Sequence, residues 1–356
     1  MSEHIQGHGP SVELITGATG LVGMYRLAWR LERGMPTVAL RREGSNVERA
    51  RVFLQDKLGS KFAEAWRTLE WREADLSDPL ALEEAMEGCE RVFHAAGRVS
   101  FKPGDEAALK TVNEKGTANV VNAALASGVK RLIHMSSVAA LGRSHVGEGA
   151  VDLTVTEGSD WADGAGASPY GVSKHAAEMQ AWRGMAEGLD LIVVNPTIIL
   201  GDARYEESSG MVYRRAAQGR KYHPAGGNGF VGAEDLIAVC SALDAAADAG
   251  QKGILGERFV VSSENVTYRD LMGWVAEGMG VEPPSKVLEN WMLELGWRLA
   301  RVWSVLSRKP PILTKDLARN TRRQHRYDTS KLRSALPEFA FTPIREVVKE
   351  TTSSFS

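Results

Sequence analysis

Tyr170 and Lys174, in Ser168-Pro-Tyr-Gly-Val-Ser-Lys174, are the first pair whose types and spacing can do chemistry. A phenol is a poor base near neutrality, with a reference pKa of about 10. An ammonium four residues along a helix lies on the same face and lowers that value electrostatically. Lowering it by ~2 to 3 pH units corresponds to about 3 to 4 kcal/mol of differential interaction. Ser137, 33 residues before Tyr170, adds a hydroxyl that can hydrogen-bond a substrate oxygen as charge develops. Alone, Tyr-x-x-x-Lys reads as the surface of an amphipathic helix. Ser136-Ser137 and a Gly-rich turn far upstream make it a catalytic set.

That turn is Thr16-Gly17-Ala18-Thr19-Gly20-Leu21-Val22-Gly23, which follows a strand and opens a helix. Its glycines permit a tight turn and let the backbone approach a pyrophosphate seated on the helix N-terminus. The second strand ends in Arg41-Arg42, where a carboxylate would hydrogen-bond the ribose of NAD. Two arginines match a 2′-phosphate, so NADP is expected, with NAD as the alternative cofactor. Asp75-Leu76, at the end of the third strand, stands where an adenine edge could be read; a plain turn and helix cap reads almost as well.

The elements that must position these groups alternate regularly. Strands are expected at 12–16, 35–40, 69–73, 91–95, 130–136, 191–196 and 257–262. Helices are expected at 21–32, 46–65, 79–87, 107–127 and 170–187. Such alternation signals an α/β fold, a Rossmann-type doubly wound parallel sheet. Ser137 then falls at a carboxyl strand end, where ligands bind in open parallel sheets. Residues 142–167 break the pattern; they are rich in Gly and Asp and too long for a simple connection, so they read as a functional loop. Beyond 262, helices at 268–279 and 287–306 follow with no strand between them. The expected division is a cofactor domain over 11–200, with 229–262 returning to it. A smaller, mostly helical C-terminal substrate lobe is expected over 201–228 and 263–350.

Bulk properties exclude several classes. The chain has 356 residues, a net charge of -2 and no long run of either sign, so nucleic acid is not an expected partner. Two distant cysteines, Cys89 and Cys240, fit neither a disulfide framework nor a zinc knuckle, and no HExxH occurs, so no metal is expected. A polar N-terminus and the lack of any run of about 20 apolar residues make the cytoplasm the expected location.

With these motifs in hand, the chain resembles an extended short-chain dehydrogenase/reductase of the NAD-dependent epimerase/dehydratase family. The resemblance runs from about Val12 to Phe341. It rests on the Gly turn, Asp75-Leu76, His94-Ala-Ala-Gly97, Val112-Asn113 with Gly116-Thr117, Ser136-Ser137, Tyr170 with Lys174, and Asn195-Pro196. It implies that Asn113 shapes the site and relays protons, that Ala95, Ala96, Gly97 and Ser136 line the cofactor, and that Pro196, Thr197 and Ile198 lie beside the nicotinamide. It also implies that Lys174 holds the ribose hydroxyls, and it makes a homodimer an expectation by analogy.

Departures from the family pattern narrow the branch. Leu141 stands where epimerases usually carry a Tyr, and Val138-Ala139 where dehydratases need an Asp-Glu pair. Asn195-Pro196 replaces an Arg-Pro pair, and 226–231 lacks the Arg of a diphosphate contact. The pattern is closer to dihydroflavonol 4-reductases and 3β-hydroxysteroid dehydrogenases, as is Arg98-Val-Ser-Phe101. That implies a carbonyl/alcohol redox step on a small, fairly apolar substrate. A sugar-nucleotide epimerase with tightly bound NAD and a non-catalytic NADP-binding regulatory protein are the alternatives.

Some residues invite over-reading. Trp161 could cover the substrate or pin its loop. Met211, Tyr213, Tyr222 and His223 could line a pocket or simply pack. His175 diverges from Lys174 on the helix and is left out of the site, and Cys240 reads as a small core residue. The stretch 287–309 holds Trp291, Trp297 and Trp303 among Arg298, Arg301, Arg308 and Lys309. A membrane-surface helix would look like this, as would a helix packed on the substrate lobe with its arginines in water. Glu289 and Glu294 interrupt the basic face and favour the second reading, so no membrane is expected.

Overall fold

The computed structural model describes residues 11–142, 152–159, 161, 167–202, 210, 213–214, 218–219, 221–307 and 321–353. Most of the 142–167 segment lies outside the described residues, as does Met211.

Seven short strands form one parallel sheet: β1 (Glu13–Thr16), β2 (Thr37–Arg41), β3 (Glu70–Glu73), β4 (Arg91–His94), β5 (Arg131–Met135), β7 (Asp190–Pro196) and β11 (Glu257–Val261). Their spatial order is β3-β2-β1-β4-β5-β7-β11. Central strands such as β1 and β5 are buried along their whole length, as sheets covered on both faces require. On one face, α1 (Leu21–Glu32), α2 (Val47–Leu58) and the helix Ala233–Asp248 pack a core that includes Leu27, Phe53, Phe93 and Leu243. On the other, α4 (Pro79–Met86), α6 (Gly116–Ala126) and α7 (Pro169–Ala186) pack Leu82, Val120, Leu132 and Ala181. The chain winds outward from β1 to β3, then returns to β4 on the other side of β1. That reversal opens a crevice above the carboxyl ends of β1 and β4.

The expected helix at 46–65 is broken. Gly59, at φ +52, ends α2, a 3-10 turn covers Gly59–Lys61, and α3 (Phe62–Thr68) restarts. The expected helix at 107–127 is α5 (Glu106–Leu109), a π-helical turn (Lys110–Lys115) and α6 in succession. The smaller lobe is less helical than expected, because it owns a sheet ordered β12-β10-β14-β6, with β8 paired to β10. Here β6 is Asp152–Val155, β8 Ile198–Leu200, β10 Gly227–Gly232, β12 Glu264–Thr267 and β14 Gln324–Tyr327. The expected boundary at 200 therefore does not follow the sheets: β6 and β8 precede it yet belong to the smaller one. A short strand β13 (Lys286–Val287) pairs with β9 (Tyr222–His223) ahead of the helix Asn290–Ser307, where no strand was expected.

Candidate active site

The Gly turn is built by close approach. Gly17 has φ +68, and a Cβ there would lie 2.7 Å from the Ala96 nitrogen; one on Gly23 would lie 2.1 Å from the Gly17 carbonyl oxygen. Only glycine lets β1 pass that near to the end of β4 and lets α1 begin so tightly against the turn. Gly20 caps α1 with no side-chain hydrogen bond, leaving the first-turn N–H groups of Leu21 and Val22 for an anion. This cradle fits a dinucleotide pyrophosphate. The Thr16 hydroxyl bonds His94 Nδ1 at 2.7 Å and accepts from the Ala96 N–H at 3.1 Å, locking the two crevice walls together. Thr19 is held through its carbonyl by Arg49 at 2.9 Å.

Arg41 pairs with Glu73 at 2.9 Å across β2 and β3, while Arg42 begins an exposed turn in which its N–H donates to Ser45 Oγ at 3.1 Å. Arg42 is thus the better placed for a 2′-phosphate. Asp75 accepts from the Ser77 N–H and hydroxyl at 2.9 and 2.6 Å, so its carboxylate serves the turn first. Leu76 packs against Gly116, and its carbonyl accepts from Asn119 at 2.8 Å. Ala95, Ala96 and Gly97 line the crevice after β4. Pro196 closes β7, buried Thr197 donates its N–H to the Val261 carbonyl at 3.0 Å, and half-buried Ile198 opens β8.

Ser137 leaves β5 and caps a 3-10 turn, Val138–Ala140, accepting from the Ala139 N–H at 3.1 Å. α7 starts against that turn: Ser168 caps it, Pro169 fills the first position, and Gly171 lets it come close. A Cβ on Gly171 would meet the Ala139 carbonyl at 2.8 Å. Tyr170 therefore sits in the first turn of α7, with its phenol beside the Ser137 hydroxyl. Phe101 lies edge-on to its ring at 5.5 Å.

Burial raises the Tyr170 phenol, and the neighbouring Ser137 hydroxyl opposes this. The sequence argument expects Lys174 to lower it instead. The reason for the difference is geometric: the Lys174 ammonium turns to the Met135 carbonyl, 2.7 Å away. Burial brings Lys174 down to about 8, against the pull of Glu178. Asn113 spends its amide on structure. It accepts from the Arg98 N–H at 2.7 Å and donates to the Arg98 carbonyl at 3.0 Å and to Ser173 Oγ at 2.8 Å. Ser173 in turn donates to the Tyr170 carbonyl at 2.8 Å. The π turn that carries Asn113 thus holds the first turn of α7 in place.

Sequence reasoning missed Glu178. Fully buried, it accepts from Ser136 Oγ at 2.6 Å, Asn195 Nδ2 at 2.8 Å, Arg258 at 3.2 Å and Trp182 Nε1 at 3.3 Å. Ser136, expected at the cofactor, points its hydroxyl here. The missed signal was spacing, since Glu178 follows Lys174 by one helical turn and continues its face. His94 and His134 are also buried nearby, with rings 5.4 Å apart; burial takes His94 down to about 3 and lowers His134 as well. Trp161 stacks on His175 at 4.0 Å, which makes it a pin for its segment. Tyr213 and His223 are buried, and Tyr213 belongs to the core of the smaller lobe.

Comparison with known proteins bears on the family and the fold. Residues 13–261 match the family described as NAD dependent epimerase/dehydratase family. Sterol demethylase protein B of Methylococcus capsulatus is 32% identical over 76% of this chain and 75% of its own length. A Synechocystis sp. protein provisionally named dihydroflavonol 4-reductase is 27% identical over 89% of this chain and 87% of its own. The crystal structure of gox2253 superposes with a TM-score of 0.75 at 25% identity, covering 97% of this chain and 98% of that one.

Proposed function

The chain belongs to the NAD dependent epimerase/dehydratase family and is an NAD(P)-dependent oxidoreductase of the extended short-chain dehydrogenase/reductase type, on the branch of dihydroflavonol 4-reductases and 3β-hydroxysteroid dehydrogenases; from that premise we propose that it interconverts a carbonyl and an alcohol on a small, fairly apolar substrate, with NADP. The observation that carries this reading is the Ser137 hydroxyl beside the Tyr170 phenol, with Phe101 against the phenol ring. It combines a proton donor, an oxygen-binding hydroxyl and an apolar approach. Val138 and Ala139 beside it cannot take part in water elimination.

NADP, when bound, supplies or accepts the hydride. Gly17, Gly20, Gly23 and the N-terminus of α1 would hold its pyrophosphate, Arg42 its 2′-phosphate and Lys174 its ribose. The chain's own share is to orient and to move one proton. Ser137 donates to the substrate oxygen as negative charge grows on it. Tyr170 Oη delivers the proton to that oxygen, and the positive end of α7 favours the phenolate left behind. A Lys174 that titrates near 8 is mostly charged at neutral pH, the form that would bind the ribose hydroxyls.

Replacing Tyr170 by Phe tests the reading. NADPH-dependent reduction of ketones and aldehydes should vanish while NADPH affinity stays nearly unchanged. Surviving activity in the variant would refute the tyrosine mechanism. Turnover of UDP-sugars by the unmodified protein without added cofactor would favour an epimerase instead. No turnover of any substrate, with NADPH bound, would favour a regulatory protein.

A further inference from the structure

The helix Asn290–Ser307 turns its aromatic stripe outward. Leu293 is buried, whereas Trp291, Leu295, Leu299 and Trp303 are 67, 50, 59 and 69% exposed. At intervals of four residues they stand above one another along one face, drifting by about 40° per step. A helix of a water-soluble domain ordinarily turns such a stripe to its core. Two tryptophans and two leucines in a contiguous exposed row mark a surface that something else covers.

Charge identifies what covers it. From Arg298 to Arg326 the chain carries nine Lys or Arg side chains and one carboxylate, Asp316, although its overall net charge is -2. The bases are interleaved, so no single run betrays them. Arg298, Arg323 and Arg326 are exposed, and Arg322 reaches Glu294 at 3.3 Å, which sets Arg322 beside the helix that carries the apolar stripe. Glu294, which appeared in the sequence to interrupt the basic face, accepts from Trp297 Nε1 at 3.0 Å and pairs with Arg298 at 3.0 Å. Its charge is thus offset by two arginines, Arg298 and Arg322. A second copy of the chain would bring the same positive charge against itself, which opposes self-association here. No helix among the described residues is long and apolar enough to cross a membrane.

The geometry points to an interfacial membrane helix: Asn290–Ser307 lies on an anionic bilayer, with Trp291, Leu295, Leu299 and Trp303 at the acyl boundary and the flanking bases over the headgroups. This inference stands apart from the proposed chemistry and can fail or hold independently of it.

The test is flotation of the full chain with vesicles of phosphatidylcholine alone and of phosphatidylcholine mixed with phosphatidylglycerol. Binding is expected to the mixed vesicles, to weaken as salt rises and to be slight on phosphatidylcholine alone. The double variant Leu295→Glu, Leu299→Glu should lower the partition coefficient by about tenfold for each leucine. Its melting temperature should not change, because both positions face water. As a second measurement, brominated lipid in the mixed vesicles should quench tryptophan fluorescence less in Trp291→Phe, Trp303→Phe. Failure of the full chain to float with the anionic vesicles overturns the inference, as does binding of the glutamate variant equal to that of the unmodified protein. A halved mass of the glutamate variant in light scattering would assign the stripe to self-association and overturn it too.

Discussion

Replacing Glu178 by Gln removes one charge, and little volume, from behind the proposed catalytic pair. The carboxylate is fully buried one helical turn beyond Lys174 and raises the ammonium's pKa against the burial that brings it to about 8. With the charged tips roughly 6 to 8 Å apart and an effective dielectric of ~20, that attraction is worth about 2 kcal/mol. Losing it would lower the Lys174 pKa by about 1.5 pH units. The charged lysine is the working form, so the rate of the unmodified protein should fall as pH rises through about 8. In Glu178→Gln that fall should come ~1.5 pH units lower. At neutral to mildly alkaline pH the charged fraction would drop from roughly three-quarters to roughly a tenth. The assay is kcat against pH, followed by NADPH absorbance with a ketone substrate. Glu178→Asp, which keeps the charge, should restore the limb. A lower kcat with an unmoved alkaline limb would mean that Glu178 only fastens Ser136, Asn195 and Arg258, and would refute the electrostatic argument.

Two further outcomes follow from the same site. Arg42→Gln should raise the KM for NADPH by about tenfold to a hundredfold, the worth of one or two charge-assisted bonds, and leave that for NADH nearly unaltered; equal effects on both would remove Arg42 from the 2′-phosphate. Folding stability should fall on acidification below about pH 6.5. His94 titrates near 3 when folded, so the unfolded chain takes the proton first, and the loss continues down to that value. The slope is up to ~1.4 kcal/mol per pH unit for each buried histidine. A melting temperature that stays constant from neutral to mildly acidic buffer would contradict it.

The seven-stranded sheet was legible because its strands are apolar runs alternating with helical periods, and because Gly17 and Gly23 mark a turn where backbones nearly touch. The placement of Ser137 at a strand end and of Tyr170 and Lys174 on one helix was legible for the same reason: such spacing is set by local geometry. The direction of the Lys174 ammonium was not, since it depends on the Met135 carbonyl from another strand. Nor was the duty of Asn113 or Ser136, whose partners lie on other elements. The break at Gly59 needed a positive φ that no periodicity records. The smaller sheet escaped because its pairings join β6 to β14 and β8 to β10, across long stretches of sequence. The outward face of Asn290–Ser307 escaped too, because hydrophobic periodicity shows that a helix has an apolar side and says nothing about where that side points.

The path of the chain between its two sheets bears on how the protein could be rebuilt. The chain leaves the large sheet after β5 to add β6 to the small one, and returns for β7. It leaves again for β8 and β10, returns for β11, and ends in the small sheet with β12 and β14. The smaller lobe is therefore not a removable cassette. A chimera that exchanged only the last third would import β12 and β14 without the strands they pair with, β10 and β6. Transplanting the smaller lobe requires three separate grafts. One of them, carrying β6, passes between Ser137 and Tyr170, so exchanging the smaller lobe also re-seats the proposed catalytic pair.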